Sequence, residues 1–450
     1  MHTTYDAIIV GAGPAGATAA ILLARAGWSV ALIEKQNFPR RKVCGECIAA
    51  SNLPLLHAIG IDTAGLEAIA GPPLRRFEVL HGAKRVAFEL PAAQPAGMEW
   101  GRALGRETLD TLLIGVARDA GVAVWQPWAV DSLEGAPGAF QCALRSTETS
   151  ESATFLAPLA ILANGSWEPL PAQRGQRRAQ RRPSDLLAFK ANFLGGALLP
   201  GVLPVLSFPG GYGGMVVADA GVMTLACCVR ADRLERLRRA SPGCSAGEVV
   251  EAMLRRECRG VDEALKTAVR AHPWLASGPL HPGVHLRDED PIFRIGNAAA
   301  EAHPIIGEGM SMAMQSAWLL CSQLLYDAQQ PPAALKQKIS AEEFALWHAN
   351  IARRYAQTWR RQFALRLRAA AVLAHAAMRP RLLWPLLRVA QRWPSRITRG
   401  VEWCGKTRTV PDADTIARLN QYASMRGNHT DALPGALTGV LPLGSEPSAF

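Results

Sequence analysis

The segment from Tyr5 to Lys35 constrains the fold of this chain more than any other part of the sequence. The apolar run AIIVGAG is followed by AGATAAILLARAG, which has helical character, and then by a second apolar run, SVALIEK. Strand, turn, helix and strand in this order predict a βαβ unit of a parallel sheet. The turn places Gly11, Gly13 and Gly16 in the spacing G-x-G-x-x-G, and Glu34 ends the second strand.

These glycines and the acid match the requirements of a dinucleotide site. Gly11 permits a tight turn, Gly13 lets the backbone approach a pyrophosphate, and Gly16 lets the helix pack closely on the strand. The helix N-terminus offers N–H groups and a favourable dipole to phosphates, and the carboxylate of Glu34 can accept hydrogen bonds from ribose hydroxyls. The segment therefore predicts a bound dinucleotide, but the motif alone does not distinguish FAD from NAD.

The composition is that of a folded globular protein. Of the 450 residues, 49% are apolar and 19% are charged, which argues against disorder and leaves room for two domains and an extension. We find no apolar run of about 18 residues and no basic start followed by an apolar signal core, so we expect a cytoplasmic protein. The nine cysteines are irregularly spaced and predict no disulfide framework.

The residues after Glu34 point to one family. The segment KQNFPRRKVCGEC, residues 35–47, resembles the FAD-dependent oxidoreductases that include aromatic-ring hydroxylases (class A flavoprotein monooxygenases), geranylgeranyl reductases and flavin-dependent halogenases. RRKVCGE is most similar to the reductase-related branch, and the resemblance extends with gaps to about residue 320. It implies a Rossmann-like parallel-sheet domain that binds FAD, with NAD(P)H as the reductant. It also implies that the ADP half of FAD contacts Gly11, Ala12, Gly13, Ala15, Gly16, Glu34 and Lys35.

The CGEC segment at residues 44–47 admits three interpretations. By resemblance it is a loop beside the flavin, which places Cys44 and Gly45 against the cofactor and Glu46 towards the substrate. The second interpretation is a redox dithiol of Cys44 and Cys47, but flavin disulfide reductases space this pair wider and need a second glycine-rich βαβ unit, which we do not find. The third is ordinary structure. A single C-x-x-C supplies only half the ligands of a structural zinc, so no metal site is expected.

Arg106 belongs to the segment GRALGRETLDTLLIGVARDAGVAVW, residues 101–125. This segment predicts a turn, an amphipathic helix and a strand, with Arg106 just before the helix. A positive charge there is unfavourable with the helix dipole, which suggests a compensating partner. By resemblance the partner is the ribityl or phosphate region of the flavin, and the alternative is an ordinary surface arginine.

A second segment rich in small residues, RIGNAAAEAHPIIGEGM, occupies residues 294–310 and precedes a long helical pattern. Small residues there allow a large, partly negative group to lie against the backbone. N–H groups at the helix start can face a carbonyl that becomes negative on reduction. By resemblance this segment is the second flavin contact, formed by Gly296, Asn297, Pro304, Gly307, Gly309 and Met310.

Two positions depart from the family pattern. Its Gly-Asp pair is Gly296-Asn297 here, and its Asp-Gly pair is Asn164-Gly165. Asparagine still donates and accepts hydrogen bonds, so contacts with ribityl hydroxyls are expected to persist while the negative charges do not. In hydroxylases the Asp-Gly pair is also linked to NADPH use, so the identity of the reductant stays open.

Residues 71–98 and 171–284 separate the FAD-binding segments. By resemblance they form a β-rich domain that roofs the flavin and builds the substrate pocket, and runs such as FKANFL and VMTLACCVR fit strands. FPGGYGGMVV loosely resembles a substrate-side segment of geranylgeranyl reductases. Phe208 and Tyr212 are therefore candidates for the pocket wall, and core aromatic residues are the alternative.

His303 and Pro304 are the candidate catalytic residues. His303 precedes Pro304, where its side chain could reach the reactive edge of the flavin as an acid or base; the alternative is a structural loop histidine. The sequence shows no Ser-His-Asp or metal cluster, which suits a flavoenzyme because the cofactor carries the difficult chemistry. Halogenases have a Trp-x-Trp-x-Ile-Pro stretch that this sequence lacks.

The net charge of +11 is concentrated in two places. Residues 351–410 contain 14 arginines and lysines and one acid, Glu402, and residues 174–182 have the sequence RGQRRAQRR. From about residue 335 we expect basic helices broken at Pro380 and Pro385. These helices either cover the FAD domain as a lid or lie on an anionic membrane surface, and an ordinary solvated face is the third interpretation. No nucleic-acid-binding module is recognisable, and residues 411–450 are expected to be partly disordered.

The sequence as a whole predicts an α/β protein. Its FAD-binding domain combines residues 1–70, 99–170 and 285–330, the β-rich substrate domain is inserted between them, and a basic helical extension covers 331–450. We expect hydroxylation of an apolar or aromatic substrate, lipid- or polyketide-like as in secondary metabolism. Reduction of isoprenoid double bonds is the alternative, favoured by the Lys-x-Cys-Gly loop. A non-catalytic flavin-binding protein that docks a partner or membrane through its basic extension is the alternative from another class.

Overall fold

The computed structural model of the protein describes residues 2–93, 97–165, 182–327, 332–393 and 400–402. Most of the basic segment 174–182 and all of 411–450, predicted to be partly disordered, lie outside these ranges. The strands, in chain order, are β1 His2–Thr4, β2 Ala7–Val10, β3 Val30–Ile33, β4 Cys47–Ile48, β5 Arg76–His81, β6 Lys84–Glu89, β7 Arg102–Ala103, β8 Ala123–Trp125, β9 Trp128–Ala136, β10 Ala139–Ser146, β11 Ser152–Ala157, β12 Leu159–Leu162, β13 Leu186–Leu194, β14 Val202–Phe208, β15 Gly211–Val217, β16 Met223–Arg230, β17 Val269–Arg270, β18 Leu275–Ser277, β19 Gly283–Val284, β20 Phe293–Arg294 and β21 Ala300–Glu301. The helices are α1 Pro14–Arg25, α2 Leu53–Ala58, α3 Thr63–Ile69, α4 Arg106–Asp119, α5 Ala231–Ala240, α6 Ala246–Glu257, α7 Arg259–Leu265, α8 Gly309–Asp327, α9 Pro332–Lys336, α10 Ala341–Ala377 and α11 Pro380–Ala390.

A parallel sheet in the order β20-β12-β2-β3-β8 forms the centre of the first half of the molecule. The predicted βαβ unit is confirmed, since β2 and β3 pair in parallel and α1 connects them. All residues of β2 and β3 are buried, as expected for parallel strands covered on both faces.

The two faces of this sheet meet different partners. Ala7 and Ile9 of β2 pack among residues of α1, α4 and α8, whereas Ile8 and Val10 pack against Phe155 and its neighbours. This alternation follows from the two-residue period of a strand. Phe155 belongs to a second sheet with the order β1-β11-β10-β9, so helices, the parallel sheet and this mixed sheet form three layers.

A larger sheet forms the second half of the molecule. Its order is β17-β13-β16-β15-β14-β5-β6, and β18 pairs with β13. The segments 76–89 and 186–277, from the two predicted insertions, thus share one sheet. β14 and β5 pair in parallel, and the other pairs are antiparallel. Helices α6 and α7 bury Val250, Leu254 and Val261 against it. The predicted α/β fold, with a parallel-sheet FAD-binding domain and a helical C-terminal region, is confirmed.

The C-terminal helices connect the two halves. Helix α10 has 37 residues and begins at a capping box in which the Ser340 hydroxyl accepts from the Glu343 N–H. It packs against α8 of the first half and against β14 and β15 of the second. In α11, Trp384 packs on Val86 and Phe88 of β6.

The predicted helix break is confirmed at Pro380 and is wrong at Pro385. Pro380 occupies the first turn of α11, where its missing N–H costs nothing. Pro385 lies inside α11. The helix continues through Pro385 because one lost backbone hydrogen bond is offset by burial of the neighbouring Trp384.

The outer face of α10 and α11 carries exposed apolar side chains, among them Leu365, Val372, Leu382 and Leu386. Peripheral membrane contact through this face stays a prediction. Within the described ranges, no helix combines the length and apolar character needed to cross a bilayer. The same residues contain no group of three His, Cys, Asp or Glu side chains close enough to hold a metal ion.

Candidate active site

A cavity of about 460 Å³ lies between the carboxyl ends of the parallel strands and the large sheet. Most residues predicted to contact FAD or substrate line it, although they come from segments far apart in the chain. They are Gly11, Gly13, Ala15, Glu34, Lys35, Cys44, Gly45, Glu46, Arg106, Asn164, Gly165, Tyr212, Gly296, Asn297, Pro304, Gly307, Gly309 and Met310.

The glycine turn after β2 is fixed by its backbone. Gly11 has a φ of +101°, and a Cβ there would lie 2.6 Å from the Ala163 carbonyl oxygen. A Cβ on Gly16 would lie 1.9 Å from the Gly11 carbonyl oxygen, so Gly16 serves helix packing and does not line the cavity. Gly13 caps α1 without a side chain, which leaves the first amides of the helix open to a phosphate.

Glu34 is held at the end of β3 by three donors. Its Oε2 accepts from the Ala12 N–H at 3.1 Å, and its Oε1 accepts from the Gln36 N–H at 3.1 Å. Nη2 of Arg40 lies 3.4 Å from Oε2. Ala12 does not line the cavity, so its part in the site is to position Glu34.

Arg106 is the first residue of α4, one position later than predicted, and its partner is a carboxylate of the chain. Its Nε and Nη2 donate to the two oxygens of Asp110, at 2.9 and 2.7 Å. Burial disfavours the charged guanidinium, but the charge and hydrogen bonds of Asp110 outweigh it and raise the pKa of Arg106. Arg106 therefore offers a permanent positive charge to the cavity. It also contacts Cys44.

Arg40 and Asp110 were missed from the sequence. Nη2 of Arg40 lies 3.7 Å from Asp110, so the two arginines share this carboxylate. Nε of Arg40 is buried without a hydrogen-bond partner among the described residues, and Arg40 lines the cavity. The i, i+4 spacing of Arg106 and Asp110 could have revealed the first pair. Arg40 joins it only in the fold.

Three glycines of the cavity test whether a large ligand fits there. A Cβ added to Gly45, Gly165 or Gly309 meets no atom within 4 Å. Gly165 needs glycine for its φ of +80°, but Gly45 and Gly309 have neither a left-handed backbone nor a close neighbour. Small residues there keep space for something other than the chain. Together with the free donor of Arg40 and the open amides of α1, these residues fit FAD.

Residues 294–310, the predicted second flavin contact, form a tight loop. Gly296 and Gly307 have φ values of +58° and +63°, and the Gly296 N–H donates to the Ser316 hydroxyl at 2.7 Å. A short 3-10 turn, Pro304–Ile306, leads into α8, which starts at Gly309 on the cavity wall. The start of α8 thus places helix N–H groups where a flavin carbonyl would gain negative charge.

Glu46 adopts a φ of +58°, and its buried carboxylate is already bound by the chain. Its acceptors take hydrogen bonds from Lys190 Nζ, from the Thr224 hydroxyl at 2.5 Å and from the Arg106 N–H at 3.1 Å. Its side chain therefore ties the loop 44–47 to the large sheet, and its contact with the substrate stays a prediction. Sequence inspection missed Lys190 and Thr224, although a lysine inside the apolar strand LLAFKANFL was a signal.

Cys44 and Cys47 both line the cavity, and neither forms a disulfide. The Cys44 sulfur accepts from the Glu46 N–H at 3.3 Å, and the Cys47 thiol donates to the Gly45 carbonyl at 3.4 Å. Each sulfur is thus part of the loop's own hydrogen bonding. The interpretation as a redox dithiol stays untested.

The structure separates the remaining candidates. Tyr212 lines the cavity, and its hydroxyl lies 3.0 Å from Nδ1 of His303. His303 does not line this cavity, and its Nδ1 contacts the cavity-lining Tyr212. Phe208 is fully buried in the core of the large sheet, beneath Arg233, and so does not form the pocket wall. Pro304 lines the cavity beside them.

The large sheet contributes an apolar wall. Phe189, Leu203, Val205 and Val216 line the cavity from this side, and Leu280 and Ile305 line it near Tyr212. The cavity therefore runs from charged, glycine-rich residues at the parallel sheet to apolar side chains at the large sheet. This gradient suits a cofactor with a charged half and a partly apolar ring next to an apolar substrate.

Comparisons with known proteins agree with this site. Residues 4–342 match the model of the FAD binding domain family. A tryptophan 2-halogenase of Chondromyces crocatus is 25% identical over 328 residues, covering 70% of this chain and 60% of that protein. A menaquinone reductase of Mycobacterium tuberculosis is 34% identical over 116 residues, which cover 26% of this chain and 27% of that protein. The chain thus spans less than two thirds of these relatives.

Solved structures share the fold. A myxobacterial chondrochloren halogenase superposes with a TM-score of 0.66 and 17% identity, over 94% of this chain and 97% of that one. A probable FAD-dependent monooxygenase from Pseudomonas aeruginosa gives a TM-score of 0.62 and 16% identity, over 86% of this chain and 100% of that one. The family match covers more than half of the chain and coincides with the segments that surround the cavity. The chain therefore belongs to the FAD binding domain family.

Proposed function

We propose that this protein hydroxylates an apolar or aromatic substrate with dioxygen and NAD(P)H. The balanced reaction is substrate–H + O₂ + NAD(P)H + H⁺ → substrate–OH + H₂O + NAD(P)⁺. The observation that carries the proposal is the continuity of one cavity from the dinucleotide turn to an apolar wall that holds a buried phenol, Tyr212.

The wall argues for an apolar substrate that is held away from water. Phe189, Leu203 and Val216 offer no hydrogen bonds, so a substrate gains affinity there by burying apolar surface. Tyr212 adds a polar group on this side, and its hydroxyl can orient one oxygen of the substrate. Water exclusion also favours oxygen chemistry, because a reactive species that meets water is lost before it reaches carbon.

The other residues bind and orient the cofactor. Arg106 and Arg40 would hold its phosphates, Glu34 its ribose, and the loop from Pro304 to Met310 its ring system. When bound, FAD supplies hydride transfer and the reaction with dioxygen. The chain supplies fixed charges and helix N–H groups that stabilise negative charge without reorganising.

Reduction of isoprenoid double bonds is the second candidate, and one observation favours it. Cys44 and Gly45 of the Lys-x-Cys-Gly segment line the cavity, and a relative that matches 116 residues of the chain is named a menaquinone reductase. Such a reaction would move a hydride to one carbon and a proton to the other. The same apolar wall would hold the isoprenoid chain.

Product analysis distinguishes the two candidates. The purified protein is reduced with NADH or NADPH and supplied with an alkylphenol in air, or with a geranylgeranyl compound under argon. Oxygen uptake coupled to a hydroxylated alkylphenol supports hydroxylation, whereas anaerobic saturation of the alkene supports the reductase. Chloride and bromide are included in parallel, since a halogenated product would replace both proposals. Bound flavin that neither nicotinamide reduces would argue for a separate redox partner or a non-catalytic role.

A further inference from the structure

A second cavity, of about 900 Å³, lies behind Tyr212. It is bounded by the turn Pro209–Gly210, by α5 and by the C-terminal end of α10, and it shares Leu280 with the FAD cavity. His303 and His375 both line it. Tyr212 and His303 thus form the partition between the two cavities.

Three side chains follow one another across this partition. The Tyr212 residue is 1% exposed, and its hydroxyl lies 3.0 Å from His303 Nδ1. The ring of His303 lies 5.8 Å, centroid to centroid, from the exposed ring of His375. Nδ1 of His375 lies 2.8 Å from the Ala371 carbonyl oxygen. A carbonyl only accepts, so this nitrogen carries the proton of neutral His375 and its Nε2 is left to exchange with solvent.

We propose that His303 passes protons from the second cavity to Tyr212 in the FAD cavity. The inference needs bound FAD but serves hydroxylation and double-bond reduction alike, because both consume one proton in addition to the hydride of NAD(P)H. Tyr212 is the catalytic residue of this path, and His303 acts through it as a positioning residue.

The transfer balances without leaving a charge behind. Tyr212 gives its hydroxyl proton to the reacting group and takes the Nδ1 proton of His303. Nε2 of His303 takes the replacement proton that solvent delivers through the second cavity, and the ring, left as its other neutral tautomer, is converted back by exchange with water. One proton enters the FAD cavity, and an imidazole, which can accept at one nitrogen while it donates at the other, is the side chain suited to this exchange.

The surrounding groups keep both members neutral at rest. Burial, then Cys228 and Glu301, raises the pKa of the Tyr212 hydroxyl. Burial, then His375, lowers the pKa of His303 to about 4. The second cavity adds more positive than negative charge, since its ionised lining consists of Arg230, Arg233, Arg236, Arg379, Asp185 and Asp232.

A test that needs no substrate follows the reoxidation of the reduced flavoprotein by dioxygen. This reaction, FADH⁻ + O₂ + H⁺ → FAD + H₂O₂, consumes one proton. We expect His303→Ala and Tyr212→Phe each to slow it tenfold or more, within the range of general acid catalysis, and we expect unchanged FAD affinity. Imidazole should enter the second cavity and restore the rate of His303→Ala with a saturating dependence, but it should not restore Tyr212→Phe.

His303→Gln and His272→Gln complete the set. Glutamine can still donate to Tyr212 but cannot relay a proton, so His303→Gln should be as slow as His303→Ala even if the alanine variant folds poorly. The exposed His272 is the control and should leave the rate unchanged. An unchanged rate in either His303 variant, or imidazole that fails to bind or to restore the rate, would overturn the proposal.

A second readout is independent of turnover. In ¹⁵N-histidine-labelled protein without FAD, the His303 signals should report a neutral ring between about pH 5 and 8. Tyr212→Phe should shift Nδ1 and leave the other histidines unchanged. A His303 that titrates as a free histidine, or an Nδ1 indifferent to Tyr212, would contradict the path. A lack of hydroxylated product would contradict the proposed function, but it would leave the reoxidation rate and the His303 signals unaffected.

Discussion

The two ends of the FAD cavity are built in different ways. The nucleotide end depends on a glycine turn and mainly on contacts between groups closer in sequence, such as the Ala12 N–H on Glu34 and Arg106 on Asp110, which Arg40 joins from a separate segment. The sheet end depends on side chains from distant segments, such as Tyr212 on His303, 91 residues apart, and Thr224 on Glu46, 178 residues apart. Local pattern therefore determines where the cofactor binds, and long-range pairing determines what faces the substrate.

Removing the positive charge of the buried Lys190–Glu46 pair should give the largest loss of stability, because this pair ties the loop 44–47 to the large sheet where the two ends of the cavity meet. Lys190 and Glu46 are 1% and 2% exposed. Lys190→Met leaves the carboxylate buried without its counter-charge, so the free energy of unfolding should fall by about 3–5 kcal/mol. Urea denaturation measures it. Adding Glu46→Gln should recover much of the loss.

The matched control for this pair is exposed. Arg145 and Asp131 are 2.8 Å apart, with side chains 55% and 46% exposed. Arg145→Met should change the free energy of unfolding by less than about 1 kcal/mol, since solvent screens such pairs. Equal losses for Lys190→Met and Arg145→Met would mean that the buried pair does not join the two ends.

Low pH should lower the free energy of unfolding through both ends of the cavity, because each end has a buried neutral histidine nearby. His348 packs on Phe293 of the parallel sheet, and burial lowers its pKa to about 4, as for His303 at the large sheet. The unfolded imidazole binds a proton below about pH 6.5 and the folded one does not. The free energy of unfolding should therefore fall as the pH drops from about 6.5 towards 4, by up to about 3 kcal/mol per histidine.

Urea midpoints at several pH values measure this effect. His348→Leu should flatten the acid slope, and replacing the exposed His57 with glutamine should leave it unchanged. A slope that survives His348→Leu in full would show that this histidine is protonated in the folded state.

Adding a methyl group at Gly16, at the nucleotide end, should lower the free energy of unfolding by less than the loss of the Lys190 charge does. Gly16→Ala brings a Cβ within 1.9 Å of the Gly11 carbonyl oxygen, and the resulting shift of α1 should lower the free energy of unfolding by about 1–3 kcal/mol. Gly115, in α4, has no atom within 4 Å of its Cβ position. Gly115→Ala should instead stabilise by about 0.5–1 kcal/mol. Thermal unfolding of the FAD-free proteins compares them, and the same sign for both would refute this account of Gly16.

The smallest expected effect is that of Gly309→Val, which should change the affinity for FAD and leave stability unchanged. Gly309→Val fills space that the chain leaves empty, so FAD affinity should fall at least tenfold, about 1.4 kcal/mol. Calorimetric titration of FAD into the deflavinated protein measures it. Gly115→Ala is again the control, and unchanged affinity in Gly309→Val would place FAD away from the start of α8.

The same contrast explains what the sequence could predict. The βαβ unit, the glycine turn, Glu34 and the small residues of 294–310 follow from spacing and backbone requirements, so the sequence alone predicts them. Lys190 could not be assigned to Glu46 without the register of β13, and the position of His303 behind Tyr212 depends on how its loop packs. For Phe208 the structure selects the alternative, a core aromatic residue, because alternation along a strand does not say which face meets the cavity. Pro385 was misread because burial of Trp384 outweighs a local rule.

Helix α10 has a consequence for how the protein comes apart. It packs on α8 at one end, and near the other end its Ala377 carbonyl accepts from the Ser207 hydroxyl while the Met378 carbonyl just beyond accepts from the Gly210 N–H. One continuous helix thus packs into the cores of both halves. Heating should therefore melt the halves in a single cooperative transition, and a substrate should enter through local rearrangement of loops instead of by a hinge between domains.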